Sequence, residues 1–384
     1  MNVAQVTGKF LDQPRLIGYF SRTVPAVLAA GGVAYTYQSV KKAPEEEKKK
    51  TLIKNIAVLS STIAFALVAP KASLKIVKAF KKKPTHHHEH HLHVEHHNCK
   101  HVECHHEHGH EHEHNHEHEH GVAVNLKKLK LHVTDLVDDF LEENKVSPDV
   151  NKILQKAKTK VLMPKEIKKI YEELGETKSG KEFLSGEHGL IPDPEHIDSN
   201  HIFKGDLPRI SIMGLFPVIG GILGGIAGDK LTEKNWREKV PDKIKEGSYQ
   251  YLANIFLCNV GAGAALYAME KSKNKHLKTK AARAIGMIGG IILAGVVFGS
   301  AIANLVGKKI IDPLVDKNKP QNDKNLFNER KPELLDISLH VDDIATVAVL
   351  SGLKWIEPAL PVLYSISGYR AGIGYRNGEN HHHH

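Results

Sequence analysis

Residues Ile210 to Gly228 read ISIMGLFPVIGGILGGIAG, 19 consecutive positions without a charged side chain. A helix needs about twenty apolar residues to cross the hydrocarbon core of a bilayer, and this run meets that length. Two more of the same kind follow, Tyr249 to Met269 with 21 residues and Ala284 to Gly307 with 24. Nearer the N-terminus, Thr23 to Val40 gives 18 residues, preceded by Arg22, whose charge can snorkel to the interface. Ile56 to Pro70 has only 15 and spans only if it extends to Leu52 or past Lys71. The sixth segment, Ile344 to Tyr369, is interrupted by Lys354 and Glu357, which stand three apart and can pair with each other. His340, Asp342 and Asp343 crowd its start, where the two aspartates complement a helix N-terminus.

The expected fold is therefore all-α, an integral membrane protein of about four to six transmembrane helices. Its expected parts are a membrane hairpin over 1–83, a polar arm over 84–121 and a soluble helical segment with its connection over 122–207. Three glycine-rich membrane helices fill 208–307, a polar loop 308–341, and a C-terminal membrane helix with its tail 342–384. The first 20 residues lack the basic region, apolar run and small-residue cleavage site of a signal peptide, so the first apolar run is expected to remain as an anchor.

Glycines recur at helical spacing in these runs. Gly220, Gly224 and Gly228 sit four apart, as do Gly221 with Gly225, Gly286 with Gly290 and Gly295 with Gly299. Such spacing lets helix backbones approach closely in lipid, and the pattern resembles a glycine zipper. It predicts tight helix packing or assembly with a second copy of the chain.

The net charge of +9 comes from 53 Lys and Arg against 44 Asp and Glu, and the basic residues cluster beside the apolar runs. In a six-helix arrangement they divide evenly between the two sides, so the positive-inside rule gives no orientation. Basic residues on both sides suit contact with the bilayer and its anionic lipid head groups. No aromatic-interleaved motif or recognition helix points to nucleic acid.

The arm carries the chemistry. His86 to His120 reads HHHEHHLHVEHHNCKHVECHHEHGHEHEHNHEHEH, with 18 histidines, 8 glutamates and 2 cysteines in 35 residues. Imidazole is the commonest side-chain metal ligand, and with thiolate it suits zinc, copper and nickel. Zinc is the expected ion, nickel or copper the alternatives. So little apolar surface cannot build a core, so a disordered arm is expected. Its densest group is His97, Cys99, His101, Cys104, His105 and His106, where two thiols and neighbouring imidazoles can close a tetrahedral site. The repeat beyond offers His108, His110, His112, His114, His116, His118 and His120 as interchangeable ligands. Several exchanging sites are expected there.

The tract resembles the His-rich loops of zinc and nickel transporters and metallochaperones. That likeness is one of composition. Zinc importers and cation-diffusion facilitators carry His, Asp or Glu on membrane helices, whereas the first five apolar runs here contain none. The arm is expected to face the cytosol. The third cysteine, Cys258, lies in an apolar run and is expected to be buried, and no disulfide framework is expected.

In the soluble segment, Thr134 and Asp135 are expected to cap a helix with Leu136, Val137, Phe140 and Leu141 on one face. Ser147-Pro148 opens a second, and Pro164 a third that ends at Gly175. The stretch Gly175 to Glu182, GETKSGKE, approaches the phosphate-cradling loop but carries Glu where Ser or Thr must hold the metal, and a helix precedes it. Nucleotide binding is rejected, and no other catalytic motif stands outside the arm, so no enzyme is expected. In the connection that follows, His188, His196 and His201 with Asp193, Glu195 and Asp198 read as scattered loop residues. Two functions remain: a membrane-anchored metal buffer, sensor or transport assistant, or a structural membrane protein assembled through glycine-rich helices with the arm as accessory.

Overall fold

The computed structural model describes residues 1–81, 126–186, 188–192, 202–278, 280–315, 345–347 and 354–374. Every regular element among the described residues is helical. A short α1 (Val3–Leu11) precedes α2 (Pro14–Lys42), and a tight turn through Glu45–Glu47 reverses the chain into α3 (Lys48–Lys81). A second helical unit follows as α4 (Leu126–Glu143), α5 (Pro148–Ala157), α6 (Pro164–Leu174) and α7 (Lys178–Ser185). Next come α8 (Leu207–Thr232) and α9 (Val240–Tyr251), the latter joined through a π-type turn at Leu252–Phe256 to α10 (Leu257–Lys271). Then α11 (Lys280–Ile291) passes through a second π-type turn, Ile292–Val297, into α12 (Gly299–Val306). A third such turn leads to α13 (Asp312–Val315), and the last element is α14 (Leu360–Ile373).

Four helical stretches are long and apolar enough to cross a membrane: Pro14–Lys42, Glu45–Phe80, Lys204–Thr232 and Trp236–Lys271. A fifth joins Ala282–Gly295 to Gly299–Val315 through a 42° bend. The weak candidate Ile56–Pro70 thus lies inside a helix that continues through both Leu52 and Lys71, with Pro70 inside it. In the sixth segment the described helix is α14, with 14 residues, and residues 348–353 lie outside the described part. It packs into the core, with Leu360, Tyr364 and Ala371 fully buried.

Helix α8 is the axis of the bundle, and its two glycine rows decide what it touches. A side chain at Gly220 or Gly224 would strike α3 at Ser61 and Phe65 or at Ala57 and Val58, and Gly228 comes close to Lys54. The alternate row, Gly221 and Gly225, lies against Gly368 and Gly372 of α14. Gly261 of α10 and Gly290 of α11 face each other in the same way. Both rows of α8 are therefore filled within one chain. The contacts of Gly228 with Lys54 and of Gly220 with Phe65 make α3 antiparallel to α8. One end of the bundle thus holds Arg209, the N-terminus of α2 and the C-terminus of α3. The other holds Asp229 and the α2–α3 turn.

The outward sides of these helices expose Val33, Tyr37, Val68, Ile285, Leu293 and Val297. Apolar surface of this extent marks a face covered by lipid or partner. The protein is expected to stay in the membrane pellet through alkaline carbonate extraction; its appearance in the supernatant would remove the embedded arrangement.

The second helical unit has its own core of Val133, Val137, Val150, Leu154, Ile167, Ile170 and Leu184 among others. Its second and third helices start at Ser147-Pro148 and Pro164 as the sequence predicts, with Gly175 closing the latter. The first does not start at Thr134. Leu129 and Val133 extend the apolar stripe backwards, so α4 begins at Leu126 and the Thr134 hydroxyl donates to the Lys130 carbonyl at 2.7 Å. The phosphate-loop lookalike is helix α7 with its cap: the Gly180 N–H donates to Thr177 Oγ1 at 3.0 Å. At α6, burial by itself would raise the Glu166 carboxyl. Lys156 at 2.6 and 2.8 Å and the Met163 N–H at 2.7 Å outweigh it and hold the group below the usual carboxylate range. The unit is tied to the bundle where α2 begins. Gln13 donates to the Leu162 carbonyl at 2.9 Å and accepts its N–H at 2.7 Å, and Arg15 donates to the Lys158 carbonyl.

Candidate functional site

All the sequence-predicted ligands, from His97, Cys99, His101, Cys104, His105 and His106 through His120, lie outside the described residues, as does the expected disorder of the arm. What the fold supplies is their anchorage. The chain leaves α3 at Lys81 and re-enters at Leu126, the start of α4. Helix α3 ends at the Arg209 end of the bundle, and α4 belongs to the second helical unit that Gln13 and Arg15 hold against the start of α2 at that same end. The two attachment points of the tract are on one side.

Among the described residues, no three His, Cys, Asp or Glu side chains are grouped so as to hold a metal ion. His132, His188 and His276 are exposed. His196, His201, Asp193, Glu195 and Asp198 of the connection lie outside the described residues. Cys258 is fully buried as expected, its thiol directed to the Ala253 carbonyl at 3.4 Å.

A second polar feature runs through the membrane bundle itself. Asn254 Nδ2 donates to Gln250 Oε1 at 2.7 Å, and Gln250 Nε2 donates to Glu246 Oε1 at 2.7 Å. Glu246 and Gln250 are fully buried and Asn254 is nearly so. The three stand one helical turn apart, so their side chains lie above one another on one face. Further along the same helical stretch, Asn259 Nδ2 donates to Ser211 Oγ of α8 at 3.1 Å, and both are buried. Helix α14 packs against the same helix: Ala371 is beside Gly247 and Gly374 beside Lys243. Ser367, one turn from Ala371, is fully buried with its hydroxyl unpartnered among the described residues.

Ion pairs close both ends of the bundle. At one end Arg209 Nη1 meets Glu357 Oε1 at 2.7 Å, with Asp206 at 3.9 Å. Glu357 thus pairs across to α8, while the side chain of Lys354, its expected partner within the segment, lies outside the described residues. At the other end Asp229 is shared by Lys243 at 2.8 Å and Lys54 at 3.1 Å, and Glu233 by Lys54 and Lys239. Lys245 meets Asp312 at 3.2 Å and Arg283 meets Glu270 at 2.7 Å. Polar side chains inside a membrane are costly, so a satisfied column of this length fixes helix register. Glu246, Gln250 and Asn254 escape a reading that scans for uncharged runs, because two of them are neutral. Their four-residue recurrence is the signal that could have found them.

Removing the middle of the column tests its contribution. Gln250→Leu leaves Glu246 and Asn254 each short of a partner and is expected to destabilise the protein by about 1 kcal/mol. The change is read as a lowered unfolding midpoint in detergent, and an unchanged midpoint would show the hydrogen bonds to be energetically idle.

No protein-family model, no curated protein and no solved structure matches this chain.

Proposed function

We propose that this is an integral membrane protein whose His-, Glu- and Cys-rich loop binds transition metal ions, zinc first and nickel or copper next. The loop acts in metal buffering, sensing or assistance to transport at the cytosolic face of its membrane. The observation that carries this reading is the density of ligands, 18 histidines and 2 cysteines in 35 residues. The attachment of that tract at both ends to one side of the bundle supports a ligand-rich loop held next to the membrane surface. The buried column offers one carboxylate and two amides and neither a thiolate nor an imidazole, the donors that suit zinc, nickel and copper best. The membrane part is therefore read as the anchor and the loop as the metal-handling element.

The test is metal analysis of the purified protein with and without residues 86–120, after dialysis against zinc. The full chain is expected to retain several equivalents and the deletion variant close to none. Equal metal content in the two would end the proposal.

A further inference from the structure

We propose that the turn between α8 and α9 is a binding site for the head group of an anionic phospholipid, with Lys230, Lys234 and Arg237 around Trp236 as its recognition elements. The inference rests on the embedding of α8, α9 and α10 in a bilayer and is otherwise independent of the metal-binding loop.

Cations at this end of the bundle fall into two sets. Lys54, Lys239, Lys243 and Lys245 are neutralised by Asp229, Glu233 and Asp312. Lys230, Lys234 and Arg237 are exposed, and no carboxylate of the described residues pairs with them. Two of these bracket one aromatic ring: Lys230 Nζ lies 5.9 Å and Arg237 Cζ 5.4 Å from the centroid of Trp236. Trp236 opens the helical stretch Trp236–Lys271, and Lys230 is in the last turn of Lys204–Thr232. The ring and its two cations therefore stand where two membrane helices emerge, the level at which tryptophan meets lipid head groups. Exposed Lys41, Lys42, Lys49 and Lys50 at the α2–α3 turn, likewise without carboxylate partners, add to the positive potential of this end. Glu238 and Asp242 of this turn and Glu46 and Glu47 of the α2–α3 turn stand outside ion pairs, and the seven unpaired cations of the two turns outnumber these four.

A phosphodiester answers this arrangement. It brings one compact negative charge to cations that no described carboxylate pairs with, while its acyl chains lie along the apolar helix surface below. Each Lys or Arg near an anionic surface favours it by about fivefold in affinity, an effect that salt screens.

The experiment uses Trp236 as its reporter. The chain has two tryptophans, so Trp355→Phe leaves Trp236 as the sole indole. That full-length protein is reconstituted into phosphatidylcholine bilayers containing spin-labelled phosphatidylglycerol or spin-labelled phosphatidylcholine, the label near the head group. Quenching by the anionic lipid is expected to exceed quenching by the neutral one at least about fivefold at low salt. The ratio is expected to fall to one in Lys230→Gln/Lys234→Gln/Arg237→Gln. Equal quenching in the unmutated site overturns the proposal, as does an equal response of Trp236 to inorganic phosphate added to neutral bilayers. Absence of quenching by either lipid would instead remove the membrane embedding. Should Trp355→Phe impair folding, retention of phosphatidylglycerol over phosphatidylcholine is read by native mass spectrometry on the otherwise unmodified chain, with equal retention again overturning the proposal.

Discussion

Gly221→Leu is expected to be the most damaging single substitution in the membrane bundle. Any side chain at this position meets the backbone carbonyl of Gly368, which cannot rotate away. The helices α8 and α14 must separate, and the contacts of Gly225 with Gly372 and of Gly368 with Pro217 open with them. Overpacking in a well-packed core costs about 1–3 kcal/mol, occasionally more, and a backbone-to-backbone contact belongs at the upper end. The expected result is a loss of about 3 kcal/mol or outright failure to fold, read as the unfolding midpoint in detergent. Gly289→Leu is the control: nothing lies within 4 Å of a side chain placed there, and its midpoint is expected to stay unchanged. Equal behaviour of the two variants would show that the interlocked glycines contribute no more than lipid-facing ones.

The second large effect concerns the loop. With Cys99 and Cys104 replaced by serine, the first and tightest step of a zinc titration is expected to disappear, its apparent Kd rising at least tenfold, about 1.4 kcal/mol. Thiolates and imidazoles close a tetrahedral zinc shell better than imidazoles and carboxylates alone. The weaker histidine steps should persist. All steps are expected to weaken as pH falls through about 6–7, because each imidazole must give up its proton before it can coordinate. A double variant that titrates like its parent would reduce the tract to a diffuse set of equivalent histidines.

The uncharged runs made the membrane helices legible, because length and absence of charge are what a bilayer demands and both are countable. The four-residue glycine spacing likewise announced close packing, though not that Gly220 would face α3 while Gly221 faces α14. That distinction depends on which helices surround α8, which no local pattern encodes. Helix starts marked by Ser147 and Pro164 were readable from capping chemistry alone. The start near Thr134 misled, since a residue suited to capping is overruled when apolar positions continue upstream of it. The buried partners of Glu357 and Asp229 come from helices 148 and 175 positions distant in the chain, in Arg209 and Lys54. Pairings at such separations leave no trace in sequence spacing. The candidate metal ligands rest on composition, which states their number and chemistry and not their geometry.

The place of α14 has a consequence for how the protein is made. Chains emerge N-terminus first, at about 5–20 residues per second, and fold as they emerge. Helices α3 and α8 are available to each other early, whereas the partner for Gly221 and Gly225 is synthesised more than a hundred residues later, at Leu360–Ile373. Until then one side of α8 and the flank of α9 at Gly247 stand open. The late helix acts as a keystone: a chain interrupted before Leu360 would hold all the long membrane segments and still present an unfinished groove. A cell that disposes of membrane proteins with exposed small-residue grooves would remove such a chain, so truncation here is expected to act through turnover even where every long helix is intact.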